Sequence, residues 1–142
     1  MIGLDHIALI VSSEESLAFY KKLGFKESKR IERSYYTVVF MECGNIVLEV
    51  FIDPNHPNRV TDPETKGLRH VAFRVDDLDQ IVKEFDCEEI RTDWFGTRFT
   101  FTKDPDGQPI ELKERPVGVD YNEDEDWVQK HKDQFGTEPD FF

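Results

Sequence analysis

The chain has 142 residues, of which 18 are Lys or Arg and 30 are Asp or Glu, giving a formal charge of −12. That length suits one domain with a core of its own, and an aromatic share of 13% argues against a disordered chain. The acidic balance argues against a nucleic-acid or anionic-membrane partner, and no apolar run reaches the ~20 residues of a spanning helix.

Residues 3–11 read as a strand, with Asp5 and His6 inside its apolar run. Those two polar residues, and the lack of a basic stretch before them, argue against a secretory leader. Ser12 and Glu15 have capping-box spacing, Leu17, Tyr20 and Leu23 recur on one helical face, and Gly24 marks the stop. Strands are expected near 25–33, 35–42 and 45–52. Residues 53–66 are rich in Pro, Asn, Asp and Thr and read as a linker. A strand follows over 68–75, and Asp77 then caps a helix whose Leu78, Ile81, Val82 and Phe85 share a face. Further strands are expected near 88–93, 97–103 and 109–114. Between the last two, Asp104-Pro105-Asp106-Gly107 has the chemistry of a tight turn, which predicts a hairpin.

From Asp120 to Phe142 there are eight acids and two lysines, half of the net charge. Asn122 and Glu125 can box a third helix that carries Trp127, His131 and Phe135 at helical spacing and stops at Gly136. Residues 116–142 are therefore read as an acidic helical extension. Asp120-x-Asn122-x-Asp124 resembles the start of a calcium loop, but Glu125 replaces the required Gly and His131 the closing Glu, so a solvated helix start is expected. Cys43 and Cys87 are too few and too far apart for a disulfide framework or a CxxC zinc site, which makes a reducing cytoplasm the expected compartment.

The chain also repeats itself. Gly3-Leu4-Asp5-His6-Ile7-Ala8-Leu9-Ile10-Val11 aligns with Gly67-Leu68-Arg69-His70-Val71-Ala72-Phe73-Arg74-Val75, five of nine positions being identical. Ile46 to Val50 aligns with Gln108 to Leu112 in the same order within each half. Two βαβββ modules, 1–52 and 67–114, thus make up residues 1–115, an α+β arrangement.

Strand alternation then sorts the polar residues. Ile7, Leu9 and Val11 share a face that excludes His6, and Val71, Phe73 and Val75 one that excludes His70. Ile46, Leu48 and Val50 oppose Glu49, and Ile110 and Leu112 oppose Glu111. With the more apolar faces packed on helices, two imidazoles and two carboxylates project from the other side at equivalent places. A pair of carboxylates there is costly without a counter-charge, and a divalent cation supplies it with His and Glu as natural ligands. The expectation is one shared metal held by His6, Glu49, His70 and Glu111, with room for one or two waters.

These modules and ligands, with Phe19-Tyr20-Lys21-Lys22-Leu23-Gly24-Phe25 and Asp104-Pro105-Asp106-Gly107, resemble the vicinal oxygen chelate superfamily. Gly67-Leu68-Arg69-His70-Val71-Ala72-Phe73 and Arg98-Phe99-Thr100-Phe101 resemble its small bacterial glyoxalase I-like metalloproteins. The resemblance spans about residues 2–115 and implies a cup-shaped open mixed β-barrel, with zinc, nickel or cobalt ahead of manganese or iron as the metal. It implies a lyase or isomerase acting on a 2-oxoaldehyde–thiol adduct or related carbonyl compound through a metal-stabilised enediolate. By the same analogy Glu111 is the catalytic base, and Glu49 is a ligand and possible second base. A small-molecule substrate and a homodimer are further implications. Other chemistries of the superfamily are the alternatives: an epimerase, an iron dioxygenase, or a drug-binding protein without catalysis. Alternation leaves open which of Arg30, Arg33, Arg59 and Arg98 faces a substrate, which of Tyr35 and Tyr36 faces the cup, and whether Phe99 and Phe101 line it.

Overall fold

A computed structural model of the chain describes residues 1–114 and Asp133. The expected C-terminal helix and the Asp120–Asp124 pattern lie outside these residues. The described residues divide into two compact units, Met1–Arg69 with Lys103–Gln108, and His70–Thr102 with the described residues from Pro109.

The first unit contains β1 (Ile7–Val11), α1 (Glu14–Leu23), β2 (Lys26–Glu32), β3 (Thr37–Cys43) and β4 (Ile46–Ile52). Its sheet has the order β1-β4-β3-β2, with β1 parallel to β4 and the other pairs antiparallel. Alternation fixes what each face carries. Leu48 and Val50 lie opposite Ile7 and Leu9 on β1 and opposite Met41 and Val39 on β3. Leu48, Val50, Val39 and Met41 are wholly buried, with Leu17 and Tyr20 of α1 in the same core. Each such side chain stabilises by roughly 1.5–3 kcal/mol.

Helix α1 carries Glu14 and Glu15 in its first turn and Lys21 and Lys22 in its last, as the helix dipole favours. Gly24 closes it in the left-handed region at φ 117°, where its N–H donates to Lys21 O. The expected Ser12–Glu15 capping box does not form. Ser13 is the N-cap and makes no side-chain capping bond. Asp106, from the distant Asp-Pro-Asp-Gly turn, takes that role. Its Oδ2 accepts from Ser12 N–H at 3.1 Å and from the Ser16 hydroxyl at 2.7 Å. Asp104 in the same turn accepts the Tyr20 hydroxyl at 2.7 Å and the N–H groups of Asp106 and Gln108 at 2.9 Å. This turn therefore belongs to the first unit although its flanking strands belong to the second.

The second unit contains β5 (Val71–Val75), α2 (Leu78–Ile81), β6 (Arg91–Thr92), β7 (Arg98–Lys103) and β8 (Pro109–Glu114), in the sheet order β5-β8-β7-β6. Strand β5 is parallel to β8, so the second sheet is mixed like the first. Asp77 caps α2 as expected, accepting Gln80 N–H, but the helix ends at Ile81 rather than reaching Phe85. The chain beyond it is claimed by β7. The Thr100 and Thr102 hydroxyls donate to Glu88 O and Asp86 O at 2.6 and 2.7 Å, and Glu88 N–H donates to Phe101 O. Those bonds tie residues 86–88 to β7, and β6 is only two residues long. No helix among the described residues is long and apolar enough to cross a membrane.

Burial pushes the Asp106 carboxyl upward, but the bonds from Ser12 and Ser16 outweigh it and hold the group below its ordinary range. Its contribution to stability is therefore complete above the unfolded pKa of about 3.9 and is lost as pH falls through the lower folded value. Asp106→Ala should cost about 1–2 kcal/mol at neutral pH, measured by urea unfolding. The gap from the wild type should narrow at strongly acid pH; an equal gap throughout would contradict this assignment.

Candidate metal centre

The two units place their histidine and glutamate in one register. Ala8 lies opposite Glu49, and Ala72 lies opposite Glu111. His6 and His70 each sit two residues before that alanine, one residue ahead of the first strand residue. Each pair therefore shares the face turned away from its unit's buried leucines. The strands begin later than the expected residues 3 and 68, so the histidines stand at the strand entrances rather than inside them.

In the first unit the pair is joined. His6 Nε2 lies 3.3 Å from Glu49 Oε2, with the His6 side chain 38% exposed and that of Glu49 21%. On the other side of the ring, His6 Nδ1 lies 2.7 Å from Asp5 Oδ2. The Asp5 hydrogen bond raises the His6 pKa; burial opposes this and the Glu49 charge adds to it. In the neutral ring, Nδ1–H donated to Asp5 leaves the Nε2 lone pair facing a carboxylate oxygen. Two acceptors that close require a proton or a cation between them. A protonated imidazole satisfies that geometry, and a cation held by Nε2 and Glu49 would do so as well, with Asp5 as the carboxylate that orients the ring.

The second unit lacks that support. Arg69 replaces Asp5 and pairs with Glu64. His70 stands edge-on to Phe101 at 5.0 Å, and the Glu111 carboxylate makes no hydrogen bond or ion pair among the described residues. No three His, Cys, Asp or Glu side chains gather closely enough to hold a metal among those residues. The structure thus joins His6 to Glu49 and sets His70 and Glu111 in matching positions.

The residues left open by alternation are now placed. Phe99 and Phe101 pack against each other at 6.1 Å and lie on the His70 face. Tyr36 packs on Phe51 at 5.8 Å, on the Glu49 face, while Tyr35 is exposed. Arg98 alternates away from Phe99 and binds Asp79 at 2.6 Å and Glu114 at 3.1 Å. Arg30 is held by Glu14 and Glu27. Arg59 donates to the carbonyls of Leu68 and Arg69, just before His70, and Arg33 to that of Glu32. On the Glu111 face, Lys113 reaches Asp93 at 2.7 Å. Sequence reasoning missed Asp5 as the partner of His6; the signal was the one-residue mismatch, Asp5 against Arg69, within the repeat. A cavity of about 380 Å³ in the first unit is lined by Ala8, Ile10, Asp53, His56, Arg59 and Asp106 among others, but by neither His6 nor Glu49.

A profile of the Glyoxalase/Bleomycin resistance protein/Dioxygenase superfamily matches residues 3–112. The Bacillus subtilis (strain 168) protein "Uncharacterized protein YwkD" is 46% identical over 124 residues, 80% of this chain and 97% of that protein. "Uncharacterized protein YaeR" of Escherichia coli (strain K12) is 42% identical over 129 residues, 81% of this chain and all of that protein. The crystal structure of a glyoxalase family protein from Enterococcus faecalis superposes with a TM-score of 0.72 at 32% identity, covering 79% of this chain and 97% of that one.

Since Arg98 ties α2 to β8 on the face opposite the candidate ligands, Arg98→Ala should lower stability by about 1 kcal/mol or less. Its divalent-metal content should match the wild type by elemental analysis, and a loss of metal would place Arg98 at the site after all.

Proposed function

Because the chain belongs to the Glyoxalase/Bleomycin resistance protein/Dioxygenase superfamily, we propose that it is a metal-dependent lyase or isomerase of the glyoxalase I type. Its substrate is a small 2-oxoaldehyde–thiol adduct or a related carbonyl compound. The observation that carries this reading is the equal register of the two His–Glu pairs. A fold reused for binding alone has no need of a nitrogen and an oxygen donor at the same place in both repeats. His6, Glu49, His70 and Glu111 would share one divalent ion, zinc, nickel or cobalt being suited to mixed nitrogen and oxygen donors.

When bound, the ion supplies Lewis-acid stabilisation of negative charge developing on substrate oxygen. The chain's own groups divide the remaining work. Asp5 holds the His6 ring, and Glu49 stays with His6 as a ligand. Glu111, without a competing partner among the described residues, takes the proton from the carbon beside the carbonyl and returns it to the neighbouring carbon. Proton and electron pair stay within the substrate, so the isomerisation needs no external oxidant. Phe101 and Phe99 on the His70 face, and Phe51 with Tyr36 on the Glu49 face, supply apolar surface on the same side as each ligand pair. A homodimer is part of the same reading.

Elemental analysis of purified protein should find close to one divalent metal per chain, and His70→Ala should abolish it; full occupancy in that variant would sink the ligand set. Asp5→Ala should weaken metal affinity about 10–100-fold. Glu111→Gln should keep partial metal affinity but lose at least about 100-fold in turnover of methylglyoxal with glutathione, assayed with added nickel or zinc. Retained turnover would remove Glu111 as the base, and a metal-loaded wild type inert to this pair would remove the glutathione adduct as substrate.

A further inference from the structure

In the second unit, the face bearing His70 and Glu111 continues as a line of rings that ends in a cation. His70 meets Phe101 at 5.0 Å, Phe101 meets Phe99 at 6.1 Å, and the Arg91 guanidinium carbon lies 5.2 Å from the Phe99 centroid. Arg91 is directly opposite Phe99 in the β6–β7 ladder, so the guanidinium and the rings share a face. Phe99 and Phe101 are half-buried, and the Arg91 side chain is 57% exposed. The Arg91–Glu88 contact is long, at 3.4 Å. Arg30 and Arg98, by contrast, each grip two carboxylates, and Lys113 is drawn to Asp93. The Arg91 donors can thus be captured by an incoming anion at low cost, displacing one long contact to an exposed Glu88. Its position over a ring also lowers the cost of desolvating it.

We propose that this strip determines substrate choice: an apolar segment of the substrate lies on Phe101 and Phe99, and a terminal carboxylate is held by Arg91. The reacting carbonyl then lies at the His70 end. That last placement rests on the function proposed above, whereas the apolar and anionic subsites rest on the strip alone. The substrate class is a carbonyl compound carrying a carboxylate beyond a flat or apolar middle. A net charge of −12 repels anions in general, so any preference for one must be local.

The test titrates phenylbutyrate and its neutral analogue phenylbutanamide into the full chain, followed by amide NMR, with metal content measured on the same samples. Phenylbutyrate should bind about tenfold more tightly and shift the amides of Phe99 and Phe101. Arg91→Gln should remove the preference while leaving the amide's affinity unchanged, Arg91→Lys should keep part of it, and Phe99→Ala should weaken both probes. Equal affinities in the wild type, no binding of either probe, or a preference that survives Arg91→Gln would overturn the proposal. An Arg91-dependent preference in protein that holds no metal would leave the strip standing and remove only the metal-centre reading.

Discussion

The period-two geometry of a strand paired in parallel governs most of this molecule. Glu49 sits between Leu48 and Val50, and Glu111 between Ile110 and Leu112; all four apolar neighbours are fully buried. A slip of one residue in either ladder would drive a carboxylate into the core and its leucine out. The apolar requirement therefore fixes the register, and the register fixes where the carboxylates emerge. Pairing to β1 and β5 then sets each histidine two residues before the alanine that lies opposite the carboxylate. Core packing and the donor set are two readings of one constraint.

Polar satisfaction supplies a second, longer-range constraint. Asp104 is nearly buried, and its carboxylate is met by the Tyr20 hydroxyl and two backbone N–H groups of its own turn. Asp106 satisfies the start of α1 in place of a local cap. One turn thus closes its hairpin and anchors a helix more than eighty residues away in sequence. Leaving such groups unpaired would cost more than each bond contributes, which makes the arrangement selective as well as stabilising.

The duplicated halves have diverged in the residues around their two histidines. Asp5 orients His6, while Arg69 turns instead to Glu64. Glu49 is engaged by an imidazole, while Glu111 has no such partner among the described residues. The first half thus ties its carboxylate to an imidazole, whereas the second makes no such pair among the described residues. The aromatic line from His70 to Arg91 gives that second half an elongated face with a cationic end.

The sequence by itself determined the duplicated order of elements, the sheet faces, the four candidate ligands and the hairpin turn. Each is written locally, in side-chain period, turn residues and a repeat of known offset. Tertiary structure alone decided who partners whom. It gave Asp106 to α1 in place of Glu15, and it turned Arg98 toward Asp79 and Glu114. It also ended α2 at Ile81, because threonines on β7 claim the carbonyls of the following segment. Those outcomes depend on hydrogen bonds and ion pairs between residues far apart along the chain. Such bonds leave no periodic trace, since a single donor and a single acceptor suffice to make each one.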